Sequence, residues 1–387
     1  MKRITLARGH EGRIKRGHPW IYRNEIERFP NDLADGEICC IEDSKQRPLG
    51  MGLYAAEGTI AVQQISDRKE TIDEAFLVRR LERAREHRLW LGHDPQACRM
   101  VHAEGDGLSG LIVDAYGPGL VYELRHSGWR AMEPMVRRSL ERVFSAKWMI
   151  EAGSADKIAP EAPALPNGVP EEQKFKEGKA EFLLRPGRGQ KTGWFLDQKA
   201  NRGRAAELSR SGRVLDLFCY EGAFAVRAAL AGAERVIGIE ISAEAANRAR
   251  RQAEANGVAD RCEFIEANAF DWLSGQKSGA AGYDLAWLDP PAFTKSRRSL
   301  DAAVRGYKEI NLRAIQALRS GGILVTSSCS HHMAPGLFRD IVAKAASDAH
   351  RRLRLIAETT QDTDHVIDPA IHESQYLKCL FLRVDEW

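Results

Sequence analysis

The sequence predicts an α/β protein: a doubly wound parallel sheet in the second half, preceded by a small barrel-like β module and an α+β insert. Three observations carry that prediction. Residues 214–242, VLDLFCYEGAFAVRAALAGAERVIGIEIS, read as a buried strand, a glycine-bearing turn, a helix and a second strand. Two later apolar runs, beginning at Tyr283 and Gly321, lead into Asp289 and Cys329. Residues 1–70, by contrast, alternate short strand-like runs with Gly and charged turns.

In chain order, strands are expected at 36–41, 48–54 and 60–65, within a first domain of residues 1–70. Apolar residues at 72, 76, 77, 81 and 84 have helical spacing and predict a helix over 71–91. Strands follow near 99–103, 110–116 and 119–125, then one helix over 129–144 and a strand at 148–152. Between the first two of these strands, Glu104-Gly105-Asp106-Gly107-Leu108-Ser109-Gly110 has the chemistry of a tight turn. These elements form a central α+β domain of residues 71–185. Pro160, Pro163, Pro166 and Pro170 make 153–176 an extended loop. The doubly wound domain takes residues 186–387, and a chain of 387 residues is expected to form two or three compact units.

No apolar stretch is long enough to span a bilayer, and the first residues lack the apolar core of a secretory signal. A soluble, cytoplasmic protein with no membrane partner is therefore expected. The seven cysteines (39, 40, 98, 219, 262, 329 and 379) are odd in number, scattered and without C-x-x-C spacing. That argues against a disulfide framework and against a zinc site; no metal is expected. Net charge is only +3, but eight Lys or Arg fall within residues 1–28, and Arg79, Arg80, Arg83, Arg85 and Arg88 share one expected helix. Such clusters either meet phosphates, releasing condensed counterions, or form solvated faces. Within 17–22, GHPWIY, His18 and Trp20 beside Lys15 and Arg16 are candidates to flank nucleotides, with Trp20 and Ile21 equally readable as core.

The 214–242 unit has the form of a nucleoside-cofactor site. Asp216 lies near the end of the first strand and Glu240 at the end of the second, where a carboxylate can accept two bonds from ribose hydroxyls. Gly222 and Ala223 leave room for a ligand beside the turn. The G-x-G-x-x-G spacing that seats a pyrophosphate is absent, so a cofactor without phosphates is expected. S-adenosylmethionine fits, with adenosine held through Glu240 and the cationic methionine end near Asp216. The alternative is a doubly wound fold whose turn binds nothing.

The strand before Asp289 delivers that acid to the sheet edge where ligands of open α/β sheets bind. Pro290 and Pro291 remove two amide donors and leave carbonyls to accept from a planar base, on which Phe293 could stack. Cys329, in Ser327-Ser328-Cys329-Ser330-His331-His332, should stand at the same edge. A thiolate there has a use: added to carbon 6 of a pyrimidine, it makes carbon 5 nucleophilic enough to take a methyl group. Asp289 would stabilise charge on the ring, and His331 and His332 are candidates to activate the thiol. A buried structural Cys is the alternative for Cys329; for Cys219, in the cofactor turn, packing is the favoured role.

These motifs, with Gln190-Lys191-Thr192-Gly193-Trp194-Phe195-Leu196-Asp197-Gln198 ahead of the first strand, closely resemble the RlmI-like family of bacterial class I methyltransferases that make 5-methylcytosine in 23S ribosomal RNA. GHPWIY resembles that family's N-terminal PUA domain and HAEGDGLSGLIVDAYG its central domain. The resemblance implies a Rossmann-like class I methyltransferase domain, with Cys329 as nucleophile and Asp289 as base-orienting acid. It implies that Phe195, Asp197 and Gln198 lie beside S-adenosylmethionine, together with Asp216, Phe218, Tyr220, Gly222, Glu240, Ile241, Asn268, Ala269, Phe270 and Asp289. Pro290, Pro291 and Phe293, and Lys15, Arg16, His18 and Trp20, are the expected substrate contacts. Ribosomal RNA is the expected partner, and the sequence leaves a homodimer open.

The chain departs from the family at three residues and matches it poorly over 153–170. Asn268 stands where an Asp is usual, its amide oxygen expected to accept the adenine amine, and Glu221 and Ala223 replace the usual Thr and Gly. Two other readings remain: a nucleobase N-methyltransferase that needs no cysteine, and a ribosome-assembly RNA-binding protein that keeps the cofactor fold without catalysis.

Overall fold

The structure, a computed structural model, describes residues 1–153, 165–166, 168–275, 282–293 and 299–387. It divides into two compact units. One comprises residues 1–175, 184–196 and 363–375; the other comprises 176–183, 197–362 and 376–387.

The first unit contains two sheets. Its six-stranded sheet runs, in spatial order, Trp20–Tyr22, Ile60–Ser66, Pro48–Tyr54, Ile38–Glu42, Arg3–Leu6 and Ile26–Arg28. The pairing is antiparallel except between Arg3–Leu6 and Ile38–Glu42. The four-stranded sheet orders Trp148–Glu151, Gly119–Leu124, Leu111–Tyr116 and Ala97–His102. Its core joins Phe76, Leu77 and Leu81, from helix Glu74–Trp90, to Val136 and Leu140, from helix Glu133–Phe144. The expected single helix over 129–144 is in fact two, Ser127–Ala131 and Glu133–Phe144. Pro134 is the reason: it has no amide donor, so it suits the first turn of a new helix and not the middle of a long one. The expected tight turn after His102 contains a 3₁₀ segment, Ala103–Asp106, closed by Gly107 in the left-handed region. Of the expected 153–176 loop, residues from Gln173 onward form the strand Gln173–Glu177, which pairs with Ala180–Leu184; 154–164 and 167 lie outside the described residues.

Among the described residues, the second unit carries a seven-stranded sheet of β1 Arg213–Leu217, β2 Arg235–Glu240, β3 Cys262–Glu266, β4 Tyr283–Leu288, β5 Leu318–Ser328, β6 Arg351–Thr359 and β7 Lys378–Glu386. They are ordered β3-β2-β1-β4-β5-β7-β6. The first five are mutually parallel, while β7 runs antiparallel to both β5 and β6. Buried on both faces, the parallel strands need no polar alternation, and the run Leu285, Ala286, Trp287, Leu288 is apolar throughout. Helices α1 Lys199–Leu208, α2 Ala223–Leu230, α3 Ala243–Ala255, α4 Ala269–Gly275, α5 Leu300–Ala317 and α6 Pro335–Asp348 complete the unit. Side chains of α3 bind the edge of the neighbouring hairpin strand: Gln252 exchanges two bonds with the Leu183 backbone, and Asn256 two with Glu181.

The register brings the chemistry to one edge. Leu217 lies opposite both Ile239 and Leu288, and Leu288 opposite Thr326. The next row therefore holds Phe218, Glu240, Asp289 and Ser327, with Cys329 two residues further along the chain.

Candidate active site

The turn after β1 is tightly wound. Phe218 (φ 63°), Tyr220 (φ 48°) and Gly222 (φ 76°) all lie in the left-handed region, which costs the two aromatic residues on the order of 1 kcal/mol each. Glu240 offsets that cost: its two carboxylate oxygens accept from the Tyr220 and Ser242 backbone amides, each at 2.9 Å. The acid expected to meet a ribose thus also shapes the turn, using two of its roughly four acceptor sites. Packing also requires glycine at position 222. A Cβ there would come within 2.9 Å of Ala249 Cβ on α3 and 3.0 Å of the Phe264 ring on β3.

Asp216 is 1 % exposed. Its Oδ2 accepts from the Ala225 amide of α2 at 3.1 Å, and its Oδ1 is buried without a hydrogen-bond partner among the described residues. Burial, aided by the nearby carboxylates of Asp289 and Glu240, pushes its carboxyl well above the usual range. An orphaned carboxylate oxygen of this kind is suited to a cation arriving from outside the protein. Cys219 beside it is buried, its thiol pushed far up by burial, as a packing residue's would be.

Asn268 is exposed and its Oδ1 accepts from the Phe270 amide at 2.9 Å, so the amide oxygen expected to bind an adenine amine already caps α4. Ala269 is buried in the first turn of that helix and Ile241 is 67 % exposed. Glu221 turns away from the edge and forms an ion pair with Arg248 of α3 at 3.0 Å, both side chains buried. This accounts for an acid where a neutral residue was expected.

At the ends of β4 and β5 the polar groups are held in chains. Gln198 Nε2 donates to Asp289 Oδ1 at 2.9 Å, Asn201 Nδ2 donates to Gln198 Oε1 at 2.8 Å, and Thr359 Oγ1 donates to Asn201 Oδ1 at 2.7 Å. Asp197 Oδ2 accepts from the Tyr376 hydroxyl at 2.7 Å. Pro290 is buried and Pro291 exposed. Phe293 sits among aromatics, 4.6 Å from the Tyr307 ring and 6.0 Å from Phe270, which in turn lies 6.3 Å from Phe218. Cys329 is half-buried. Around it, Ser328 Oγ donates to the Tyr307 hydroxyl at 2.9 Å, and Lys378 Nζ donates to the Ser330 carbonyl at 2.7 Å and the Tyr376 carbonyl at 2.8 Å. His331 and His332 are exposed. Sequence reasoning missed Lys378, although a lysine directly before an apolar run, Cys379-Leu380-Phe381-Leu382, is a signal that could have found it.

The remaining candidates belong to the first unit. Phe195 has the Lys191 ammonium 4.4 Å above its ring. His18 is buried, with Nε2 3.2 Å from Glu373 Oε2, and Trp20 Nε1 donates to Glu104 Oε1 at 3.2 Å. Lys15 lines a cavity of about 650 Å³ together with Arg79, Arg80 and Arg83, faced by Glu104 and Asp106; Arg16 is exposed. Arg88, expected with that cluster, is instead 1 % exposed and binds Asp106 and the Asp364 carbonyl. Its place on the inner side of the helix makes it a core residue. Among the described residues His93, Cys98 and Asp364 bring potential ligand atoms within 4.8 Å of one another. Both Asp364 oxygens already accept, from the Arg99 amide and His365 Nδ1, and the Arg88 guanidinium sits on the Asp364 carbonyl, a poor setting for a cation.

Comparison with known proteins identifies the domains and the family. The PUA-like domain profile matches residues 4–67, and the S-adenosylmethionine-dependent methyltransferase profile matches residues 164–382. The ribosomal RNA large subunit methyltransferase I of Aeromonas hydrophila is 34 % identical over 391 residues, covering 98 % of this chain and 98 % of its own. Among solved structures, a Streptococcus mutans protein ascribed to the SAM-dependent methyltransferases has a TM-score of 0.83 at 19 % identity, covering 99 % of this chain and 100 % of its own. A second, ascribed to the methyltransferases and solved with SAH, has a TM-score of 0.84 at 19 % identity and the same coverage.

Proposed function

The chain belongs to the S-adenosylmethionine-dependent methyltransferases, in the family of the large-subunit ribosomal RNA methyltransferase I proteins, and from that premise we propose that it forms 5-methylcytosine in 23S ribosomal RNA through a covalent adduct at Cys329. The single observation that carries this reading is the position of Cys329: a half-buried thiol in a polar setting, at the end of β5 and beside the edge that carries Asp289.

The residues at the edge fit the cofactor. The buried, unpartnered Oδ1 of Asp216 suits the cationic methionine end, and the remaining acceptor sites of Glu240 suit ribose hydroxyls. Asp197, Gln198, Phe218, Tyr220, Gly222, Ile241, Asn268, Ala269 and Phe270 complete the proposed surround, with Phe195 preceding them in the chain. S-adenosylmethionine, when bound, supplies an electrophilic methyl group.

The protein's own part follows from its groups. The Cys329 thiolate adds to carbon 6 of the cytosine, and the electron pair of the 5,6 double bond moves to carbon 5. Once carbon 5 carries the methyl group, its proton leaves to solvent, the double bond re-forms and the thiolate is expelled. Asp289, held by Gln198, faces ring nitrogen 3 or the exocyclic amine, where its carboxylate accepts from the amine N–H and orients the base. Pro290 and Pro291 hold the strand end rigid, and Phe293 borders the base. Residues 1–70, 71–185 and 186–387 act as RNA-binding, central and catalytic domains, with Lys15, Arg16, His18 and Trp20 on the RNA side, and the work is cytoplasmic.

The test is a methyl-transfer assay with labelled S-adenosylmethionine and unmodified 23S ribosomal RNA, the product nucleoside identified by mass. Labelled 5-methylcytidine from the native protein and none from Cys329→Ala is the expected result. Label on a ring or exocyclic nitrogen, or equal label from both proteins, would overturn the thiolate mechanism in favour of N-methylation.

A further inference from the structure

The reading of Cys329 as nucleophile leaves open what makes the thiol reactive, since a free cysteine is mostly protonated at neutral pH. The ladder between β5 and β7 points to an answer. Ser327 lies opposite Cys379, and Ser328 opposite Lys378. The Lys378 side chain therefore starts beside the residue that precedes Cys329. Its ammonium ends on the carbonyl of Ser330, the residue that follows Cys329. The chain segment carrying the thiol is thus held from both sides by one lysine.

We propose that the Lys378 ammonium is the positioning residue that holds Cys329 as a thiolate and fixes the turn that presents it. This rests on the proposed role of Cys329. Lys378 is 6 % exposed, and two of its three N–H donors are fixed on the Ser330 and Tyr376 carbonyls. Burial pushes the ammonium down, against the upward pull of negative charge on Cys329, to about 8. Coupling of this kind is reciprocal: a thiolate that favours the ammonium is favoured by it to the same degree.

Among the described residues, the other groups around the thiol are less suited to supply that charge. From α5, the Tyr307 hydroxyl is pushed up by burial and stays neutral. From β4, Asp289 brings negative charge. From the segment before β7 comes the Tyr376 hydroxyl, which donates to Asp197. From its own segment come His331 and His332, both exposed to water that screens them.

The test reads the coupling from each side in the full-length protein. The rate of Cys329 alkylation by iodoacetamide, followed on its own peptide by mass spectrometry, gives a pH profile. Lys378→Met should move that profile to higher pH by about one unit, and Lys378→Arg should restore it, since an opposite charge at close range commonly acts on this scale. In the other direction, Cys329→Ser should let Lys378 be acetylated at lower pH than in the native protein, a measurement that stands even if Lys378→Met does not fold. An unmoved profile in either experiment overturns the role of Lys378. Methyl transfer by Cys329→Ala decides the nucleophile separately. Retained activity with the coupling present would sink only the nucleophile, and lost activity without the coupling would sink only the lysine.

Discussion

Gln198 donates from Nε2 to Asp289 Oδ1 at 2.9 Å, and so holds from inside the protein the carboxylate at the end of β4. Behind Gln198 stand Asn201 and Thr359, each satisfied by the next, so the glutamine has little freedom to turn its amide. A carboxylate positioned in this way is oriented before any substrate arrives, which is how hydrogen-bonded support contributes to rate.

Gln198→Leu removes the bond at nearly constant size. Turnover in methyl transfer to RNA, measured at saturating cofactor, should fall by roughly 10- to 100-fold, the worth of a hydrogen bond to a charged group. Unchanged turnover would mean that Asp289 needs no such support.

Asp216 predicts a proton exchange on cofactor binding. Its carboxyl is raised in the folded protein, so the folded state binds more protons than the unfolded one above the ordinary carboxylate range. Stability from this group therefore falls as pH rises through that window. A cation placed on Oδ1 reverses the preference and drives the proton off. Calorimetry in buffers of different ionisation heat should show proton release when S-adenosylmethionine binds, and affinity that rises with pH. Asp216→Asn should abolish both effects, weaken binding and raise the melting temperature of the free protein at neutral pH.

Glu177 predicts an acid-sensitive core. Burial pushes its carboxyl up, but the guanidinium groups of Arg202 and Arg227 hold it down to about 2. Its side chain is fully buried, with Arg227 at 2.8 Å and Arg202 at 2.5 Å. Glu177→Gln leaves both guanidinium groups without their shared counter-charge and should cost about 3–5 kcal/mol in denaturant unfolding. Because the folded value is depressed, the native contribution is present above the ordinary glutamate range and is lost as pH falls from there towards 2. The variant should therefore show a flatter acid-unfolding curve.

Much of the second unit was legible because its signals are local. The strand Pro48–Tyr54 in the first unit and Arg235–Glu240 in the second begin and end where apolar runs meet turn residues. Asp216, Glu240 and Asp289 stand near strand ends that any parallel order would bring to one edge. What was not legible depends on partners distant in sequence. That Ala249 and Phe264 also pack against Gly222 is visible only in the fold. Arg88 reads as one more surface arginine because the acid that buries it, Asp106, lies 18 residues away. The burial of Lys378 follows from β7 entering the sheet antiparallel between β5 and β6, an order no local pattern encodes.

That antiparallel entry also limits how the chain can vary. Side chains alternate along a strand with a period of two, so a one-residue insertion inside β7, near its start, would exchange the faces of Lys378 and Cys379. A neutral thiol would then stand where the ammonium does, with every hydrogen bond of the ladder still made. Related chains should tolerate length changes between β6 and β7, where the backbone leaves the sheet, and resist them within the first residues of β7. A protein that broke this rule could keep its fold and its melting temperature and still fail as a catalyst.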